Sequence, residues 1–315
     1  FIDAVSQGLE QGMVQNENLV IMGQDIAEYG GAFKITDGFL EKFGSHRVRN
    51  TPICESGIIE AAFGLSINGF KSVVELQFAD FITSGFNPVI NLLAKSYYRW
   101  GQSSNIVLRM PCGGNLRAGP FHSQTNEAWF TKTPGLKVVY PAFPFDAKGL
   151  LATAIEDENP VLFFEHKALY RSVYQDVPDN YYTIPFGKAS LISEGFDISI
   201  ITYGAGVHWA LNEIKTHFIS ADLIDLRTLQ PLDTDTIYKS VKKTGRVLIL
   251  QEDTLFGGIA SDISALINEN CFEYLDAPIK RVGSLETPIP FAKSLEKNYL
   301  PIDRLYKEIQ ELLNY

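Results

Sequence analysis

The chain has 315 residues, enough for about two domains that each bury a core without disulfide or metal staples. Hydrophobic residues at 45% and charged residues at 20% exclude a disordered or fibrous chain. The 27 Lys and Arg residues against 37 Asp and Glu leave a net charge of −10, which argues against a basic, nucleic-acid-binding face.

In chain order, the pattern predicts a helix over 2–14, a strand at 19–23, a helix over 56–68 and a strand at 72–76. A helix over 86–99, strands at 105–109 and 136–140, a helix over 145–156 and a strand at 161–165 follow. Residues 174–187 carry two prolines and no periodicity, and read as a linker. Beyond it, strands at 197–202, 221–225 and 246–250 alternate with helices over 207–217, 234–242, 258–269 and 302–313. Such β/α alternation implies parallel sheets covered by helices on both faces. The expected fold class is α/β, two parallel-sheet domains spanning 1–178 and 179–315.

Cys54, Cys112 and Cys271 are far apart and form no CxxC pair, so neither a disulfide framework nor a zinc site is indicated. A reducing, cytoplasmic setting is the expectation. No stretch reaches the ~18–20 apolar residues that span a bilayer, and no charged-then-apolar leader opens the chain. Phe1 in place of Met suggests a trimmed terminus or a piece of a longer polypeptide.

Phosphate-loop, HExxH and GxSxG signatures are absent. The nearest nucleotide-like pattern is Tyr203-Gly-Ala-Gly-Val-His-Trp209, with Asp225 about 20 residues on. Trp209 fills the position of a third glycine, so a plain strand-to-helix turn is the preferred reading, with a nicotinamide-dependent dehydrogenase as the competitor.

Longer words go further. Met22-Gly-Gln-Asp-Ile26, Glu28-Tyr-Gly-Gly-Ala-Phe-Lys34, Thr51-Pro-Ile-Cys-Glu55, Glu75-Leu-Gln-Phe-Ala-Asp80, His122-Ser-Gln124, Leu169-Tyr-Arg171 and Asp225-Leu-Arg-Thr-Leu229 follow one another along the chain. In order and spacing, the series resembles the β subunit of the thiamine-diphosphate-dependent first component of 2-oxo acid dehydrogenase complexes. The words at 75–80 and 169–171 look closer to the branched-chain (2-oxoisovalerate) members than to the pyruvate members; pyruvate and acetoin types are the alternatives. A non-catalytic pairing subunit is the reading from another class.

The resemblance implies a transketolase-like pyrimidine-binding domain followed by a transketolase C-terminal domain. It also implies an α partner, in an α2β2 assembly or fused in one chain. That partner would hold the diphosphate and Mg²⁺ through a Gly-Asp-Gly segment that this chain lacks. The acyl group of a 2-oxo acid would pass to the lipoyl domain of an acyltransferase core. Glu55 matches the cofactor-activating glutamate: a carboxyl group beside a pyrimidine nitrogen shares a proton with it. An acid favoured by a helix dipole is the plain alternative. Ile53, Gln77 and Phe81 match positions lining the pyrimidine pocket, Phe81 standing where branched-chain relatives often carry Tyr. Phe78 faces either this pocket or the core. His122 matches the histidine on the substrate side of the cofactor, where an imidazole can donate to a developing oxyanion. Ala154, Asp157 and Asn159 match a segment that holds a structural K⁺ in some relatives. Gln24 replaces a glutamate that many relatives use in an acidic tunnel between cofactors, with Glu28 and Glu75 as possible substitutes.

Overall fold

The computed structural model describes residues 1–315. The first part of the chain runs α1 (Ile2–Gln15), β1 (Leu19–Gly23), α2 (Phe39–Phe43), β2 (Val48–Asn50), α3 (Glu55–Ile67) and β3 (Lys71–Glu75). It continues with α4 (Ala94–Trp100), β4 (Ile106–Cys112), α5 (Ala128–Thr131), β5 (Lys137–Val139), α6 (Pro144–Glu156) and β6 (Val161–His166). The later part holds β7 (Ser190–Ser193), β8 (Ile198–Thr202), α7 (Ala205–His217), β9 (Ala221–Asp225), β10 (Thr228–Gln230) and α8 (Thr234–Thr244). It ends in β11 (Val247–Thr254), α9 (Ile259–Cys271), β12 (Lys280–Ser284), α10 (Lys293–Tyr299) and α11 (Ile302–Leu313).

The strands form two sheets, seven-stranded in the order β10-β5-β6-β4-β3-β1-β2 and five-stranded in the order β12-β11-β8-β9-β7. All neighbours are parallel except β10 on β5 and β7 on β9. The expected α/β class with two mostly parallel sheets is what forms. Its central strands are buried end to end, as continuous apolar runs covered on both faces must be. The helix expected over 86–99 divides into wide π turns at Pro88–Leu93 followed by α4.

One face of the first sheet is covered by α1 and α6, which approach closely: a Cβ added at Gly8 would stand 3.3 Å from the Lys148 backbone. The other face shares a core with the later part of the chain, joining Leu108, Tyr140 and Phe164 to Ile201, Leu226 and Ile249. Residues 171–189 form no helix or strand. They are nevertheless tied down: Lys148 Nζ donates to the carbonyls of Pro178 and Asn180 at 2.5 and 3.0 Å. No helix is long and apolar enough to cross a membrane.

Candidate functional site

In parallel sheets, ligand groups gather beyond the carboxyl ends of the strands. Here β6, β4, β3 and β1 are neighbours, and their carboxyl ends release the segments carrying His166–Lys167, His122, Gln77–Phe81 and Gln24. Glu55 opens α3 from the same side. The residue is only 6% exposed, and its Oε1 accepts from Gln24 Nε2 at 3.3 Å. The carboxylate sits in the first helical turn, where the dipole favours negative charge.

After β3 the chain turns through Gln77 and Phe78 into the short helix Ala79–Gly85. Gly85 lets that helix lie on α3, since a Cβ there would stand 2.6 Å from Ile59 and 3.5 Å from Glu55. Phe78 and Phe81 meet edge-on at 5.5 Å, and both meet the His122 ring edge-on, at 4.8 and 5.6 Å. Phe78 therefore turns toward His122. Phe33 extends this wall, 5.9 Å from Phe78. Asp80 Oδ1 accepts from both the backbone and side-chain nitrogens of Gln124, at 3.2 and 2.9 Å, and so pins the chain just past His122. Gln77 is half-buried. Ile53, on the turn before Glu55, is 82% exposed.

Lys167 is a feature the sequence reading missed. It is buried, its Nζ donates to Gly113 O at 2.9 Å, and it stands 5.5 Å from the Phe78 ring centroid. Burial pulls its ammonium down, against nearby Asp80, Glu252 and Glu296. A His-Lys pair directly at the carboxyl end of a buried strand was the signal available for it. Between the two parts of the chain, Tyr203 donates to Glu127 at 2.5 Å. Burial pushes the Glu127 carboxyl up to about 8, with Asp253 adding to the shift.

The remaining candidates lie elsewhere. Asp157 caps α6, pairs its carboxylate with Lys137 and accepts from the Asn159 backbone at 2.9 Å. Ala154 is buried within α6. Glu75 is held by Arg109 at 2.5 Å, and the same guanidinium makes a two-pronged contact with Glu165 at 2.7 and 2.8 Å. Glu28 accepts from Asn50. Gln24 is thus the polar neighbour that Glu55 has within this chain.

The nucleotide-like turn holds no room for a diphosphate. A Cβ at Gly204 would meet the Tyr140 ring at 2.6 Å, and one at Gly206 would meet Thr202 Oγ1 at 2.2 Å. These glycines serve close packing, and Asp225 is wholly buried rather than turned toward a ribose.

In this two-sheet α/β chain, a buried acid at a helix start and a cluster of Phe78, Phe81 and His122 rings thus gather at the carboxyl ends of neighbouring strands. The residues suit an aminopyrimidine: one carboxylate for a ring nitrogen, and phenyl edges for the ring itself. Residues 1–173 match the family of the transketolase pyrimidine-binding domain, and residues 187–304 match the transketolase C-terminal domain. The chain is 42% identical to the 2-oxoisovalerate dehydrogenase subunit beta of Bacillus subtilis, covering all of this chain and 98% of that one. It is 44% identical to the mitochondrial 2-oxoisovalerate dehydrogenase subunit beta of Dictyostelium discoideum, covering 95% and 82%. Identity to the pyruvate dehydrogenase E1 component subunit beta of Bacillus subtilis is 43%, covering 95% and 94%. A solved split-gene transketolase, described as an inactive beta4 tetramer, shares the fold with a TM-score of 0.79 at 23% identity, covering 99% and 97%. The chain belongs to the family of 2-oxo acid dehydrogenase E1 β subunits.

Proposed function

We propose that this chain is the β part of a branched-chain 2-oxo acid dehydrogenase, of the 3-methyl-2-oxobutanoate type. It works with an α partner that holds the diphosphate and Mg²⁺ of thiamine diphosphate, and passes the acyl group to a lipoyl domain of an acyltransferase core. The observation that carries the reading is the buried Glu55 carboxylate at the head of α3, beside the wall of Phe78, Phe81 and His122. When bound, thiamine diphosphate would supply a carbon nucleophile and an electron sink for decarboxylating a 2-oxo acid. Glu55 holds the proton shared with the pyrimidine ring. Phe78 and Phe81 keep water from the ring edge. His122 donates a hydrogen bond to the oxygen that gains charge on the substrate. The 82% exposure of Ile53 beside a buried acid supports a seat completed by a second chain. The carbonyl oxygens of Ala154, Asp157 and Asn159 are the proposed ligands of a structural K⁺. We place the domain boundary at 178/179.

Identities of 42–44% to the branched-chain relatives and 43% to a pyruvate relative do not separate the substrates. The test is decarboxylation of 3-methyl-2-oxobutanoate against pyruvate by this chain co-expressed with its α partner, with thiamine diphosphate, Mg²⁺ and an artificial electron acceptor. Preference for the branched acid, lost in Glu55→Ala, is expected. Preference for pyruvate would keep the mechanism and move the substrate. Full activity of Glu55→Ala would sink the role of this site.

A further inference from the structure

The segment between β4 and α5 carries His122 but has no helix or strand of its own, so its backbone groups must find partners elsewhere. Two of its N–H groups are taken by carboxylates of the later part of the chain. Gly114 N donates to Glu252 Oε1 at 2.6 Å, and Arg117 N donates to both oxygens of Glu296 at 3.1 Å. Both acids are buried, Glu252 at 6% and Glu296 at 3% exposure. A carboxylate taken out of water is costly unless its hydrogen bonds compensate, so each is tied to the N–H it holds. The second oxygen of Glu252 is set by His166: Nδ1 accepts from Ala168 N at 3.2 Å, which leaves Nε2 to donate to Glu252 at 2.6 Å.

The loop glycines fit the same bed. A Cβ at Gly113 would fall 2.2 Å from His166, one at Gly114 2.5 Å from Ile289, and one at Gly119 2.4 Å from Phe291. Asn115 and Arg117 take left-handed backbone angles, with φ of 64° and 57°; asparagine does so readily, but for arginine it is uncommon and needs support from its surroundings. Three contacts thus come from the single stretch 289–296, which runs into the first turn of α10 and follows the last strand of the second sheet.

We propose that Glu296 and Glu252 are positioning residues that set the height of His122 over the site from the second part of the chain. The inference rests on the role proposed above for His122. Displacing a reacting group by about 1 Å is enough to cost a large factor in rate. In the assembled α/β enzyme, Glu296→Ala lowers kcat about tenfold, with KM for the 2-oxo acid and Kd for thiamine diphosphate within about twofold of wild type. Glu296→Gln keeps a carbonyl oxygen for the Arg117 N–H and recovers most of the rate. In a His122→Ala background, Glu296→Ala costs nothing further, because both changes remove one function. A kcat within about twofold of wild type, or losses that multiply in the double variant, overturns the proposal.

Hydrogen exchange of the wild-type enzyme gives a second measurement that needs no variant. The Gly114 and Arg117 amides are expected to exchange far more slowly than a free loop, and fast exchange at both overturns the clamp. Should the wild-type assembly turn over no 2-oxo acid, the role of His122 fails, while the exchange data still decide whether the clamp exists.

Discussion

At the first turn of α3, a carboxylate meets one amide, from Gln24, and the positive end of a helix. Gln can reproduce the size and hydrogen bonding of Glu55 but cannot exchange its proton. Glu55→Gln is therefore expected to leave the thermal midpoint of the assembled enzyme nearly unchanged and to lower kcat by at least about 100-fold. Equal losses from folding and rate would mark Glu55 as structural. Asp225 shows the opposite use of a buried acid. Burial pushes its carboxyl up to about 8, and Asp146 adds to this while the Arg227 amide and guanidinium oppose it. An unfolded aspartate loses its proton near ~3.9. Between that value and 8 the unfolded chain binds fewer protons than the folded one, so stability falls as pH rises through this window. Asp225→Asn removes that dependence. The melting temperature of the variant is expected to gain on wild type from pH 5 to about 8 and to level off above it, as read by scanning calorimetry; a constant difference across pH 5 to 8 would refute the argument.

Elements with long apolar runs were legible in the chain, because a strand buried on both faces writes its burial directly into its sequence. β1, β8 and β9 fall where the pattern puts them. The strands it missed have no such run. β2 buries only Val48, β7 is an edge strand of partly exposed residues, β10 depends on a neighbour about 90 residues earlier, and β12 opens on Lys280 and Arg281 and contains a glycine. At the site, Glu55, Gln77 and His122 stood within matched words and Phe81 directly after one, whereas Glu252, Glu296 and Lys167 act through contacts between distant segments that no local pattern encodes. Arg109 was hidden for another reason: it lies inside an apolar strand and is neutralised only by Glu75 and Glu165 from neighbouring strands. The packing of α1 on α6 carries its own prediction. Gly8→Ala gains helix propensity but meets the Lys148 backbone at 3.3 Å, so little net change is expected. Gly8→Val adds two methyl groups where the helices touch, and is expected to cost about 1–3 kcal/mol relative to Ala. Urea midpoints measure the difference, and equal midpoints would mean that the helices part freely.

Across the whole molecule, the two sheets do not divide the chain cleanly. β10 leaves the later part to complete the edge of the first sheet, pairing with Val138 and Val139. Tyr140 N donates to Arg227 O at 2.8 Å, Arg227 pairs with Asp146 at 2.7 Å, and Tyr203 reaches Glu127. The largest core cluster contains buried residues from both sides of the 178/179 boundary. Units that share a core and a sheet edge lose stability together, so the chain should unfold in one cooperative transition despite its length. For the same reason, a fragment of residues 1–178 should fail to fold. It would expose the β5 edge along with the faces of Tyr140, Phe164 and Leu108, a template for strand pairing between copies. Calorimetry of the full chain is expected to give one endotherm whose van't Hoff and calorimetric enthalpies agree, and the fragment is expected to aggregate without a cooperative melt. Two separate endotherms, or a soluble 1–178 fragment that melts cooperatively, would show that the first sheet stands alone. The clamp of Glu252 and Glu296 on the His122 loop would then join two independent domains, and the height of His122 would change with their relative motion.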